Sequence, residues 1–178
     1  MYAVGKIPGG FNKREGKASE HATLTSRVID RPMRPLFPKD YRNDVTLNNL
    51  VMSVDPECNP EIPAMLGSSI ATCISDIPFD GPCAATQMGL IDGELVVNPT
   101  MAQRVVSDLQ LTVASTREKV IMIEAGANEV PDDKMIEAIY KAHEVNQEII
   151  KFFDGIIAEC GKPKHEYQSF AVPEELFA

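Results

Sequence analysis

The sequence predicts an α+β fold in which helices cover one face of a mixed sheet. Three observations indicate this fold class. Two segments, 83–99 and 109–127, have the pattern of β-hairpins, and apolar side chains recur at spacings of three and four through 132–160. The third observation is that residues 64–75 are rich in small side chains, which suit a helix packed closely against a sheet. The 178 residues, of which 44% are apolar and 24% charged, are enough for one domain with its own core.

The first predicted helix begins after Ser19. Serine is a favourable N-cap, and Glu20 places a negative charge at the positive end of the helix. Leu24 and Val28, four residues apart, supply an apolar stripe. Pro32 is expected to end this helix, because a proline disfavours the helical conformation of the residue before it.

The middle of the chain is predicted to hold a strand, a helix and the two hairpins. Val45–Asp55 is interpreted as a strand, although its apolar and polar residues alternate imperfectly, and Ala64–Ser75 as the small-residue helix. Asp92–Gly93 is a strong signal for a two-residue hairpin turn. The second hairpin is expected to turn around Ser115–Glu118.

The longest helix is predicted over Asp132–Cys160, with Asp132 as its cap. Gly161 and Pro163 are expected to stop it. Residues 163–178 show no hydrophobic period and are predicted to form a linker.

Cysteine spacing and hydropathy indicate a cytoplasmic protein without a membrane segment. The four cysteines, Cys58, Cys73, Cys83 and Cys160, show no paired spacing, so we interpret them as free thiols in a reducing compartment. No apolar run approaches the length needed to cross a bilayer.

Charge is distributed unevenly along the chain. The net charge is −9, which by itself argues against a nucleic-acid-binding protein. Residues 1–42, however, contain nine Lys or Arg and four Asp or Glu, a net charge of +5, which leaves −14 for the remainder. Such asymmetry is expected of a local binding site for a polyanion on an otherwise acidic protein.

Three arginines form the centre of this basic region. Arg27, Arg31 and Arg34 follow one another at i, i+4 and i+7, so a continuous helix would place them on one face. The guanidinium group is suited to phosphate, because it donates two parallel hydrogen bonds. A solvated basic helix face with local salt bridges, to Asp30 and Glu20, remains the alternative.

A glycine-bordered loop with a basic pair precedes the first helix. Five residues separate Gly10 from the Gly16–Lys17 pair, and Ala18 occupies the position directly after that lysine where a P-loop has Ser or Thr, so the loop is not a P-loop. Lys13 and Arg14 lie beside Phe11, and such a combination is typical of single-stranded RNA contacts, where charge holds a phosphate and a ring stacks on a base. An ordinary core role for Phe11 stays open.

Several quoted stretches carry a resemblance to a known family. "GKIPGGFNKREGKASEHATLTSRVIDRPMRPLFP", "LVMSVDPECNPEIPAMLGSS", "IPFDGP", "VVNPT" and "ECGKPKHEY" resemble the opening part of the polynucleotide phosphorylases. The resemblance implies an RNase PH-like fold of the ribosomal protein S5 domain 2 type. It also implies a phosphate-dependent 3′→5′ exoribonuclease of mRNA decay, which acts as a ring-shaped homotrimer and releases nucleoside diphosphates.

The resemblance also implies how the chain is organised. Residues 1–162 correspond to the first RNase PH-type domain without its earliest strands, and residues 163–178 to a linker toward a following helical domain. The expected partners are single-stranded RNA, inorganic phosphate in the full-length enzyme, two further copies in a trimer and an RNA-degradation complex.

Site residues follow from the same resemblance. In the family, the loop that matches "GFNKREG" lines the mouth of the central pore and grips RNA. Phe11 and Arg14 match it, whereas Asn12 replaces an aromatic residue and Lys13 an arginine, so we expect weaker stacking. The family also has arginines near the RNA path, and these match Arg27, Arg31 and Arg34.

The residues that catalyse phosphorolysis are expected to lie outside this chain. In the family, the phosphate site and the magnesium site belong to the second RNase PH domain, where an Asp-x-Asp-x-Lys pattern lies on a strand. The corresponding positions here are Asp108, Gln110 and Thr112, which retain one acid. We therefore predict no catalytic residue, no metal ligand and no cofactor in this chain, and magnesium in the second domain.

Two other hypotheses remain open. The chain could be a stand-alone RNA-binding or scaffold module without enzymatic activity. It could also be a metabolic enzyme whose arginines bind small carboxylic acids, although a catalytic nucleophile and metal ligands are missing from the sequence.

Overall fold

The computed structural model describes residues 18–170. Its elements, in chain order, are α1 (Glu20–Met33), a 3₁₀ turn (Arg34–Leu36), α2 (Glu61–Ile74), β1 (Ala84–Ile91), β2 (Glu94–Val97), α3 (Met101–Val105), β3 (Leu109–Ser115), β4 (Val120–Ala127) and α4 (Asp132–Cys160). Both hairpins, the helix α2 and the long helix α4 confirm the sequence predictions, and so does the α+β class. The short helix α3 was not predicted.

The four strands form one sheet in the order β2-β1-β3-β4. Each pairing among the described residues is antiparallel, so the expectation of a mixed sheet is wrong for this part of the chain. Tight turns account for the pairings of β1 with β2 and of β3 with β4, because strands joined by a short hairpin must run in opposite directions. Asp92 and Gly93 have φ angles of 50° and 81°, the left-handed conformation that a two-residue hairpin turn needs.

Helices lie against both faces of the sheet, not one as expected. Residues that face each other across paired strands share a side, and two apolar clusters follow this rule. One cluster joins the sheet to α4 and contains Met88, Leu90, Leu109, Leu111, Val113, Ala138 and Ala142. The other joins the opposite side to α1 and α2 and includes Ile29, Met33, Ile62, Met65, Ala85, Ala114 and Met122. The first seven residues of β1 are buried without alternation, because both of its sides are covered.

The helix α1 begins as predicted and ends later than predicted. The Ser19 hydroxyl accepts a hydrogen bond from the Ala22 N–H at 3.1 Å, which confirms the N-cap. Pro32 lies inside the helix, and its ring is buried. A proline so close to the end removes one helical hydrogen bond, and the Arg34 N–H still donates to the Asp30 carbonyl. The burial of Pro32 offsets that loss, so the backbone stays helical through Met33.

The predicted strand over residues 45–55 is wrong. The described chain has neither helix nor strand there. A β-strand needs a neighbouring strand for its backbone hydrogen bonds, and no strand among the described residues pairs with this segment. The cap of α4 also differs from the prediction, since Pro131 occupies the N-cap position and Asp132 lies in the first turn.

The segment after α4 is irregular and attached to the rest of the fold. The Lys162 N–H donates to the Ile74 carbonyl at 3.0 Å, the His165 N–H to the Asp76 carbonyl at 2.8 Å and the Phe170 N–H to the Asp40 carbonyl at 3.3 Å. The described part of the predicted linker therefore packs against the loops that flank α2. Within residues 18–170, no helix has the length and apolar character required to cross a membrane.

Candidate nucleic-acid interface

Three of the six predicted site residues lie in the part of the chain that the structure describes. Phe11, Lys13 and Arg14 lie outside the described residues, so their placement stays a prediction. Arg27 and Arg31 lie on α1, and Arg34 follows α1 directly in a helical conformation, with φ −53° and ψ −45°.

The fold turns the arginines of α1 toward solvent. Ile29, Pro32 and Met33 are buried against the sheet and α2, and they set the inward side of the helix. At 100° per residue, positions 27, 31 and 34 cluster on the other side. All three arginines are exposed. The late end of α1 thus keeps them on one face, which the predicted break at Pro32 left uncertain.

Carboxylates engage two of the three arginines. The Arg31 Nη1 lies 3.3 Å from Glu124 Oε2 on β4. The Arg34 Nε donates to Asp30 Oδ1 at 3.2 Å, and its Nη2 donates to Asp30 Oδ2. Arg27 has no hydrogen bond or ion pair with another residue of 18–170. The expected counter-charge Asp30 is confirmed, whereas Glu20 contacts none of the three.

A carboxylate on α2 holds the start of α1 in place. Glu61 accepts hydrogen bonds from Thr25 Oγ1 at 3.2 Å and from Asn59 Nδ2 at 2.7 Å, and it lies 3.4 Å from His21 Nε2. The partners Glu61 and Glu124 were not predicted, because each is remote in sequence from the helix that it contacts. No local spacing could have signalled them.

An open groove runs beside the arginines. Its lining includes Ser26, Ile29, Asp30, Arg34, Val45 and Leu47, and its volume is about 230 Å³. Pockets that enclose small metabolites commonly measure roughly 300–1,000 Å³. The groove is smaller than that and open to solvent, so it gives no support to a small-acid active site at this position.

The positions matched to the family's metal site lie on the same side of the sheet as α1. Gln110 and Thr112 pair with Gly126 and Glu124 of β4, and Asp108 precedes β3. Among residues 18–170, no three His, Cys, Asp or Glu side chains gather closely enough to hold a metal ion. A single exposed carboxylate with two neutral neighbours is a weak ligand set for magnesium.

The hydroxyl groups of α2 are used in packing. Ser68 and Ser69 are both buried. The Ser68 hydroxyl donates to the Ala64 carbonyl at 2.8 Å, and the Ser69 hydroxyl accepts from the Cys83 N–H at 3.0 Å. These serines hold the turn before β1 against α2 and are not available to a phosphate.

Two models of one known protein family match this chain. Residues 1–78 match the model described as "3' exoribonuclease family, domain 1", and residues 81–145 match "3' exoribonuclease family, domain 2". The 78 residues of the first match and the 65 of the second cover four-fifths of the chain. The chain belongs to the 3′ exoribonuclease family. The two matches meet in the loop between α2 and β1, inside the range predicted as a single RNase PH-type domain.

Curated relatives of this family are very similar over the whole chain. The polyribonucleotide nucleotidyltransferase of Lachnoclostridium phytofermentans is 79% identical over 178 residues, which is 100% of this chain and 26% of that protein. The protein of the same name from Ruminiclostridium cellulolyticum is 59% identical over 177 residues, 99% of this chain and 25% of that protein. The chain therefore spans about a quarter of the length of the curated relatives it matches.

A solved structure confirms the RNase PH-like fold. The crystal structure of rice (Oryza sativa) Rrp46 superposes with a TM-score of 0.62 and 12% identity, and the match covers 84% of this chain and 69% of that one. The resemblance stated from the sequence is thus confirmed for family and for fold.

Proposed function

We propose that this chain is the non-catalytic first RNase PH half of a phosphate-dependent 3′→5′ exoribonuclease. The observation that carries the proposal is the 79% identity, over every residue of the chain, with a polyribonucleotide nucleotidyltransferase. In this role the chain contributes RNA binding at the pore of a trimeric ring, and the full-length protein converts RNA and phosphate to nucleoside diphosphates in mRNA decay.

The basic face of α1 supports the RNA-binding part of the proposal. RNA is bound through its phosphates by Lys and Arg side chains, and this binding weakens as salt is raised. Arg27 is exposed and has no partner among the described residues, so its guanidinium can donate hydrogen bonds to a phosphate without breaking an existing contact. Lys13 and Arg14, which precede α1 in the chain, are proposed to extend this contact together with Phe11.

The chemical step is proposed to occur elsewhere in the full-length protein. Phosphorolysis requires phosphate as the nucleophile and a magnesium ion to neutralise charge at the scissile phosphate. We assign both to the second RNase PH domain, because Asp108 is the single acid at the positions where the family's metal site is expected here. The free thiols Cys73 and Cys83 suit the reducing cytosol that we propose as its location.

A mutational assay of the full-length protein tests the proposal. Phosphate-dependent release of nucleoside diphosphates from single-stranded RNA is the activity expected. Changing Lys13 and Arg14 together to Ala should lower RNA affinity by about tenfold or more, and Arg27→Ala by roughly threefold to tenfold, with a shallower salt dependence in both cases.

The control is Arg104→Ala, which removes an arginine of α3 that also has no carboxylate partner among the described residues. It should leave RNA affinity near that of the wild type. Release of nucleoside diphosphates that does not depend on phosphate would overturn the enzymatic part of the proposal. RNA binding without any such release would favour the alternative of a stand-alone RNA-binding module.

A further inference from the structure

We infer that Glu124 and Asp30 are internal counter-charges that compete with RNA phosphates for Arg31 and Arg34. This inference rests on the proposed function, because it concerns how the same basic face admits RNA. It assigns a role to Glu124, a residue of β4 that the sequence does not connect with α1.

The two carboxylates occupy the groups that a phosphate would use. Arg34 presents both Nε and Nη2 to the two oxygens of Asp30, and Arg31 presents Nη1 to Glu124. Carboxylate and phosphate oxygens bind the guanidinium fork in the same bidentate manner. The nitrogens engaged in this way must therefore release their carboxylate oxygens before they donate to a phosphate instead.

The exchange is easy because both pairs lie at the surface. The side chains of Arg31 and Glu124 are 55% and 51% exposed, and those of Arg34 and Asp30 are 77% and 45% exposed. Exposed ion pairs contribute little to stability, since water solvates the separated charges well. A phosphate can thus replace either carboxylate without leaving a buried charge behind.

The three arginines are consequently not equivalent. Arg27 has no carboxylate partner among the described residues, Arg34 is paired with Asp30 four residues earlier in the chain, and Arg31 is paired across to the sheet. An isolated phosphate gains little from displacing one carboxylate. A polymer held first at Arg27 presents further phosphates at high effective concentration and displaces both. The arrangement favours RNA over small phosphate-bearing ligands.

The test replaces each carboxylate with the neutral amide of the same shape in the full-length protein. Binding of a fluorescent single-stranded oligoadenylate is measured by anisotropy over a series of salt concentrations. Glu124→Gln and Asp30→Asn should each tighten binding by about twofold to fivefold at low salt, since that is the range of an exposed ion pair. The gain from Glu124→Gln should vanish when Arg31→Ala is also present.

The matched control is Glu137→Gln. It makes the same change of charge and also frees a cation, Lys134, which lies 2.7 Å from Glu137, but on α4 and on the other side of the sheet. Equal affinities for Glu124→Gln, Asp30→Asn and Glu137→Gln would overturn the inference. If Arg27→Ala still weakens binding in that case, RNA binding by α1 stands. If the alanine variants of all three arginines bind like the wild type, both the inference and RNA binding by α1 are wrong.

Discussion

Two irregular segments of this protein differ sharply in how they are attached. The segment predicted as a strand, residues 45–55, leaves Leu50, Val51 and Met52 exposed by 77%, 54% and 90%. Its side chains make few polar contacts: Asn49 accepts a hydrogen bond from the Ser68 hydroxyl at 3.1 Å, and Asp55 accepts one from the nearby Glu57 N–H at 2.9 Å. The C-terminal arm, residues 161–170, is equally without helix or strand but is bound by many polar contacts.

One anchor of the C-terminal arm is a lysine at the end of a helix. The Lys164 Nζ donates to the carbonyls of Thr72, Cys73 and Ser75 at 3.3, 2.8 and 2.8 Å. The last carbonyls of a helix lack partners within the helix, and a positive charge is favourable there. A single side chain therefore caps α2 and fixes the direction of the arm.

A second anchor surrounds Asp40. Its carboxylate accepts a hydrogen bond from the Tyr167 hydroxyl at 2.9 Å and from the Ser169 hydroxyl at 2.5 Å. The rings of Tyr41 and Tyr167 meet edge to face, with centroids 5.0 Å apart. The comparison shows that apolar residues alone do not attach a segment to the core, whereas distant polar partners attach one that has no regular structure.

The largest expected effect is a difference in stability between two methionine substitutions, one in the core and one in residues 45–55. Met88 is fully buried between β1 and α4, and Met52 is 90% exposed. Met88→Ala should lower the free energy of unfolding by about 2–5 kcal/mol, because it opens a cavity, and Met52→Ala should change it by less than about 0.5 kcal/mol. Urea denaturation of both variants measures the difference, and similar losses would show that residues 45–55 are packed.

An intermediate effect is expected at Lys164. Lys164→Ala removes three hydrogen bonds at the end of α2 and should cost about 1 kcal/mol of unfolding free energy. Lys162→Ala is the control, because Lys162 contacts the fold through its backbone N–H and not through its ammonium group. Chemical denaturation of the Lys164→Ala and Lys162→Ala variants measures the difference in unfolding free energy. Equal stabilities would mean that the Lys164 side chain does not stabilise the end of α2.

The smallest effect is a dependence of the arm on pH. Hydrogen bonds from Ser169 and then Tyr167 lower the pKa of Asp40 below its ordinary value of 3.8. The stabilisation is therefore complete above pH 3.8 and is lost as the pH falls through the lower pKa of the folded state. The Tyr167 hydrogen bond to Asp40 likewise raises the pKa of Tyr167 above 10.0, so this contact holds below pH 10.0 and fails as the pH rises through the higher value.

Nuclear magnetic resonance of the arm's amides and of the Tyr167 ring follows this dependence. Their signals should shift together as the pH falls below 3.8 and through the lowered pKa of Asp40, where its carboxylate takes up a proton. In Asp40→Asn the shift should be absent. Asp76→Asn is the control, since the arm contacts the backbone carbonyl of Asp76 and not its side chain. A shift that persists in Asp40→Asn would contradict the assignment.

Local sequence signals predicted most of the fold. Asp92–Gly93 predicted the first hairpin because few residues adopt its left-handed angles, and Ser19 predicted the start of α1 because its hydroxyl caps a free N–H. The prediction that Pro32 ends α1 was wrong, because burial of the proline ring outweighs the preference of the preceding residue for a non-helical conformation. Val45–Asp55 misled because a strand depends on a neighbour that no local pattern reveals.

The features of the candidate site likewise divide into those that the sequence predicts and those that depend on the fold. By itself, the sequence determined that arginines 27, 31 and 34 recur at helical spacing within a basic amino-terminal region, because helical geometry and charge depend on neighbours along the chain. The tertiary structure alone decided which of them carry a counter-charge from the sheet. Glu124 is 93 residues from Arg31 and meets it only when α1 packs beside β4, since short-range electrostatic contacts depend on distance in space and not on order in the chain.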